Sequence, residues 1–202
     1  MLVGRDRTDT WFFFGDSVTL GVNDSAMPGG WVSRLALKGA DRGCYEYPPA
    51  TFYNLGARRQ KLADVAARFE AEYTARLMPG IRSRFAFCTG TVDALQGADP
   101  QATVEALASL LARAKGIAPT LFICPPPLAD EQACARLERY AALAQEVCRK
   151  LNVPCANLFP ELMARGFAGL LTDGIHPGPE GNDLFASLLM DKPETVTFLT
   201  AE

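Results

Sequence analysis

The chain has 202 residues, 49% hydrophobic and 21% charged, with a formal net charge of -3. This is length enough for one domain, 1–202, whose core needs no staples, and the mix is that of an ordinary globular protein. The charge balance recommends neither nucleic acid nor an anionic membrane surface as partner, and no apolar run reaches the ~20 residues that span a bilayer.

Met1–Thr10 is short, polar and charged, and runs straight into the first strand. It leaves no room for a signal peptide, so a cytoplasmic protein is expected. Trp11–Phe14 is the first strand. After the turn Pro28-Gly29-Gly30, Trp31–Gly39 reads as a helix whose Trp31 and Leu35 share the core face. Thr51–Asn54 is a second strand. Leu62–Leu77 is an amphipathic helix stopped by Pro79-Gly80. Arg84–Cys88 is the third strand, and Pro100–Lys115 a helix with proline in its first turn and Gly116 beyond its end. Thr120–Cys124 is the fourth strand, Asp130–Leu151 a long helix, and Val153–Leu158 the fifth strand. Pro160–Ala164 is a short helix and Pro179–Met190 the closing one. Five apolar strands, each followed by a helix, predict an α/β fold: a parallel sheet covered on both faces.

Reactive groups then belong at the carboxyl ends of the strands. Ser17 follows the first strand, Gly56 and Arg59 the second, Asp93 the third and Pro125-Pro126-Pro127 the fourth, with His176 in the last long loop. The proline run reads as a stiff exit from its strand or as a wall of an acyl pocket. Six cysteines are scattered without a C-x-x-C pair. They are expected as reduced, largely buried thiols, and no metal site is expected.

An apolar run that stops at Gly15-Asp16-Ser17 delivers a serine to a turn. A serine hydroxyl is a weak nucleophile at neutral pH and needs a base to take its proton during attack. His176 is the only histidine in the chain. Asp173, three residues earlier, can fold back onto Nδ1 of the ring and leave Nε2 for the serine. Against this stand two bland readings: a lone histidine with a satisfied hydrogen bond, and Asp173-Gly174 as an ordinary turn pair. The lack of a Gly-x-Ser-x-Gly elbow argues against an α/β-hydrolase. Asp16 is expected to hold the serine turn through backbone N–H groups. Asn182-Asp183 is read as capping the last helix.

Phe14-Gly15-Asp16-Ser17 and Asp173-Gly174-Ile175-His176-Pro177 resemble the first and last blocks of the SGNH, or GDSL, hydrolase superfamily. Asn54-Leu55-Gly56-Ala57-Arg58-Arg59 and Gly90-Thr91-Val92-Asp93 fall where its middle blocks would lie. The resemblance implies a flavodoxin-like three-layer αβα sandwich with strand order 2-1-3-4-5. It implies hydrolysis of a small-molecule ester or thioester through an acyl-enzyme, without a cofactor. Ser17 would be the nucleophile, His176 the base and Asp173 its orienter. The oxyanion hole would take the backbone N–H groups of Ser17 and Arg59, the latter where many members carry glycine. Gly56 would serve the tight turn and stand as second choice of donor. Arg58 and Arg59 are either solvated or reach an acidic substrate group.

The third block departs from the pattern, because Val92 replaces the asparagine whose amide completes the hole. Loss of one such donor costs about 3–4 kcal/mol of transition-state stabilisation. The hole then works slowly with two backbone donors, or Thr91, Asn23 or an arginine of the second block stands in, or the protein has left hydrolysis behind. The alternative function is therefore a weakened member that binds an acylated or glycosylated ligand. A nucleotide or flavin binder is disfavoured, because Gly15-Asp16-Ser17-Val18-Thr19-Leu20-Gly21 lacks the clustered glycines of a phosphate cradle.

Overall fold

The structure, a computed structural model, describes residues 9–200. The expectation about a signal peptide lies almost wholly outside them. Five strands form one parallel sheet in the order β2-β1-β3-β4-β5: β1 is Asp9–Gly15, β2 Thr51–Gly56, β3 Arg82–Cys88, β4 Thr120–Ile123 and β5 Cys155–Ala156. The helices are α1 Ser17–Leu20, α2 Gly30–Asp41, α3 Leu62–Thr74, α4 Thr91–Leu95, α5 Pro100–Lys115, α6 Glu131–Leu151, α7 Phe159–Ala164, α8 Pro179–Met190 and α9 Pro193–Leu199. The expected α/β class and strand order are both present.

The sequence of β1 explains the layering. Successive side chains on a strand face opposite ways, so a strand apolar at every position needs cover on both sides. Phe12 and Phe14 pack into a core with Leu62, Val65 and Phe69 of α3 and residues of α5 and α6. Trp11 and Phe13 pack oppositely, with Trp31 and Leu35 of α2 and residues of α8 and α9. Trp31 meets Phe13 and Phe185 edge to face, which makes it the core residue expected.

Several elements differ from the sequence reading. β5 is two residues, not Val153–Leu158. Its pairing ends where the Asn157 side chain takes the Phe159 N–H and starts α7. α3 ends at Thr74, three residues before Leu77. α8 is not the closing helix, since Pro193 opens α9. The one-turn helices α1 and α4 and a 3-10 turn at Phe167–Leu170 were not expected. A single turn has no room for apolar periodicity to show.

Candidate active site

β1 ends at Gly15, and the chain turns at once into α1. Asp16 caps α1, accepting the Val18 N–H at 2.9 Å, so Ser17 occupies the first helical position. The turn needs glycine on both strands that touch it. A Cβ on Gly15 would lie 2.1 Å from Thr19 Oγ1 and 2.2 Å from the Cys88 carbonyl oxygen, and one on Gly56 would lie 2.2 Å from the Leu20 nitrogen. Asn54 ties β2 to the same helix: its amide donates to the Thr19 carbonyl at 2.9 Å.

His176 comes from the other end of the chain. Its loop is closed by a bridge between Leu171 and Pro177 and by the Thr172 N–H on the His176 carbonyl at 2.9 Å. Asp173 makes the loop turn and faces the ring at once. Its Oδ1 accepts the N–H groups of Ile175 at 3.0 Å and His176 at 2.8 Å, while its Oδ2 lies 2.7 Å from His176 Nδ1. The bland and functional readings of Asp173 thus describe two oxygens of one carboxylate. His176 Nε2 lies 2.8 Å from Ser17 Oγ, across 159 residues of sequence. The structure therefore brings Ser17, His176 and Asp173 into one hydrogen-bonded chain.

Two carboxyl groups near the chain behave oppositely. Partial burial works against ionisation of Asp173, but the His176 and Ile175 N–H groups and the imidazole hold it down to about 2. Complete burial pushes Asp16 up to about 6, against the Val18 N–H and the charge of His176. Asp16 Oδ2 has no hydrogen-bond partner among the described residues.

The remaining expected site residues separate. The Gly56 N–H is taken by Asn54 Oδ1 at 3.0 Å, and Gly56 lies within β2, not in a turn. Its glycine is required by the close approach of α1. Arg59 stands in the turn after β2 with φ of 62°, a left-handed conformation usual for glycine. Its N–H, like that of Ser17, makes no hydrogen bond among the described residues. The side chains of Arg58 and Arg59 are exposed. Val92 lies in the first turn of α4, nearly buried, and offers no side-chain donor. Asp93 accepts the Leu62 N–H at 3.0 Å and so fastens the start of α3.

Two expectations need correction. Asn23 does not stand free as a donor for the hole, because its amide is engaged by Asp173 and Thr172. Asn182 does not cap α8, whose cap is Gly178. Buried in the first turns, it donates to the carbonyls of Pro177 at 2.7 Å and Gly178 at 3.0 Å and so fastens the His176 loop. The buried Pro125–Pro127 run is a stiff connection that carries Ala129 to the same loop, where its N–H meets the Gly174 carbonyl at 3.0 Å. Arg68 was missed: its guanidinium bonds the carbonyls of Gly15 at 3.2 Å and Leu55 at 2.6 Å. Five cysteines are buried and Cys155 is half-buried. Among the described residues no cluster of three or more His, Cys, Asp or Glu is placed to hold a metal, and no helix is long and apolar enough to cross a membrane.

Comparison with solved structures finds the same fold repeatedly. A lipolytic protein of the G-D-S-L family from Veillonella parvula superposes with a TM-score of 0.77 at 17% identity, over 91% of this chain and 97% of that one. A lipase/acylhydrolase from Enterococcus faecalis gives 0.74 at 22% identity, over 93% and 96%. An acetylxylan esterase from Geobacillus stearothermophilus gives 0.74 at 17% identity, over 96% of each chain. No curated protein matches the sequence. The model of the GDSL-like lipase/acylhydrolase family matches residues 13–184, from the middle of β1 into α8. That span holds the serine turn, the β2 and β3 exits and the His176 loop, and the chain belongs to this family.

Proposed function

We propose that the protein is a serine esterase or acylhydrolase that works through an acyl-enzyme. The observation that carries this reading is the chain Ser17 Oγ, His176 Nε2, His176 Nδ1, Asp173 Oδ2, with links of 2.8 and 2.7 Å. Ser17 Oγ attacks the carbonyl carbon as its proton passes to His176 Nε2. The N–H groups of Ser17 and Arg59, which no acceptor among the described residues occupies, support assigning them to the oxyanion of the tetrahedral intermediate. Collapse expels the alcohol or thiol, which takes the proton from His176, and leaves an ester on Ser17. Water then attacks that ester, His176 takes its proton, and the acid departs as Ser17 Oγ recovers its hydrogen. Asp173 stays ionised throughout and compensates the imidazolium.

The esterases among the structural neighbours make short acyl esters the first probes. Six free cysteines fit a reducing compartment such as the cytoplasm. We expect wild-type protein to hydrolyse a short-chain p-nitrophenyl ester and to be labelled at Ser17 by a fluorophosphonate, and Ser17→Ala to lose both. Folded wild-type protein that takes no label at neutral pH would overturn the assignment. A second reading, a binder of acylated or glycosylated ligands with little turnover, is favoured only by Val92, which supplies no amide where the family carries asparagine.

A further inference from the structure

We propose that Asn23 is a positioning residue that holds the rotamer of Asp173 and, through it, the ring of His176; this rests on the hydrolase reading above. The Asp173 side chain is 42% exposed, whereas that of His176 is 14% exposed. A carboxylate so open to water is poorly fixed by one bond to an imidazole, because solvent competes for every lone pair. Here both oxygens are filled from the protein. Oδ1 takes two N–H groups of its own loop. Oδ2 takes His176 Nδ1 and, at 2.9 Å, the amide of Asn23. Among the described residues Asn23 is the sole donor to this carboxylate from outside the His176 loop, reaching across 150 residues of sequence. The same amide meets Thr172 Oγ1 at 3.1 Å, and that hydroxyl donates to the His176 carbonyl at 3.1 Å. One side chain therefore grips the loop at two adjacent residues, Thr172 and Asp173.

The grip is itself anchored. Asn23 has φ of 67°, a left-handed conformation that asparagine tolerates better than most residues. Asp24, with a fully buried side chain, accepts the N–H groups of Ala26 at 3.1 Å and Gly30 at 2.9 Å and pairs with the Arg34 guanidinium of α2. The Arg34 side chain is almost buried too, so the segment bearing Asn23 is pinned to the helix layer. The choice of an amide is chemically apt. A cation there would neutralise the charge that Asp173 offers the imidazolium, and a carboxylate would repel it. A neutral N–H orients the oxygen and leaves its charge in place.

Three measurements test the assignment. Asn23→Gly removes the amide and keeps the left-handed backbone; Asn23→Asp places a second carboxylate against Asp173. In Asn23→Gly we expect kcat for a short ester to fall by about 10- to 100-fold, by analogy with the loss seen when outer partners of metal-ligating histidines are removed, with KM changed less than about twofold and Asn23→Asp falling further. In an Asp173→Ala background Asn23→Gly should cost less than about twofold more, since a residue acting through Asp173 has nothing left to orient. Because His176 is the only histidine, the low-field proton resonance of its Nδ1–H is unambiguous, and it should move or broaden in Asn23→Gly. Wild-type kcat and an unchanged resonance in Asn23→Gly would overturn the proposal, as would an equal loss with and without Asp173. If Ser17→Ala hydrolysed esters like the wild type, the hydrolase reading would fall instead, and the resonance would still judge the contact. A melting curve for each variant separates misfolding from mispositioning, and Asn23→Asp supplies the second test if Asn23→Gly is unstable.

Discussion

Asp16 is a carboxyl group in conflict with its surroundings. One oxygen caps α1, and the other is buried with no donor among the described residues. Its folded value of about 6 stands above the 3.8 of the unfolded chain, so between those values the folded state binds more protons. The contribution of Asp16 to stability then falls as pH rises through the window from about 4 to 6. Asp16→Asn keeps the cap acceptor and removes the charge. It should raise stability at pH 8 by about 2–3 kcal/mol, a shift of roughly two pH units converted at 1.36 kcal/mol each, and the gain should vanish below pH 4; urea midpoints at the two pH values check this. At the proposed oxyanion site, Val92→Asn should raise kcat, by up to about 10²–10³ if the missing amide alone limits the rate. No gain over a wild type that barely turns over would favour the binding reading. Ser17, Asp173 and His176 were legible in the sequence because each chemistry-bearing residue sits in a short block with a local reason for its turn. Asn23 was legible only as a spare donor. Its partners lie 149 and 150 residues away, and nothing local to Gly21-Val22-Asn23-Asp24 says which loop will fold over it.

The proposed nucleophile rides on an element too short to hold itself. Four residues are too few to nucleate a helix, so α1 borrows its geometry: Asp16 caps it, Gly21 ends it in a left-handed turn, and the Asn54 amide holds the Thr19 carbonyl. β1 and β2 press against it through two glycines. Gly56→Ala places a methyl group 2.2 Å from the Leu20 nitrogen, and a backbone atom there cannot rotate away. It should cost about 1–3 kcal/mol, the usual range for overpacking, and slow fluorophosphonate labelling of the molecules that remain folded; thermal melts and labelling rates check the two effects separately. At this scale the sequence revealed the long amphipathic helices, whose boundaries fall within a few residues of those observed. It concealed α1 and α4, because one turn carries no period, and it overstated β5, because Val153 and Leu158 are buried by packing without belonging to the ladder.

Across the molecule, the sheet separates two tasks. At its amino end the buried Asp9 accepts from Arg82 at 2.7 Å and Arg84 at 2.6 Å, and a groove of about 600 Å³ is lined by Arg84, Pro119, Val153 and Phe198 among others. At its carboxyl end two loops from opposite ends of the chain meet over Ser17. The buried parts of that meeting, Ser17 and Asp16, face inward, while the Asp173 carboxylate stands at the rim. A charge mounted at the rim can be replaced from the bulk. Cutting it back in Asp173→Ala should open a notch large enough for formate, and adding sodium formate should restore part of the lost ester turnover with saturation, while sodium chloride at equal ionic strength restores none. The proposed serine esterase, its third member supplied from the buffer, would then be switched on by dose, with the concentration of a one-carbon acid setting its speed.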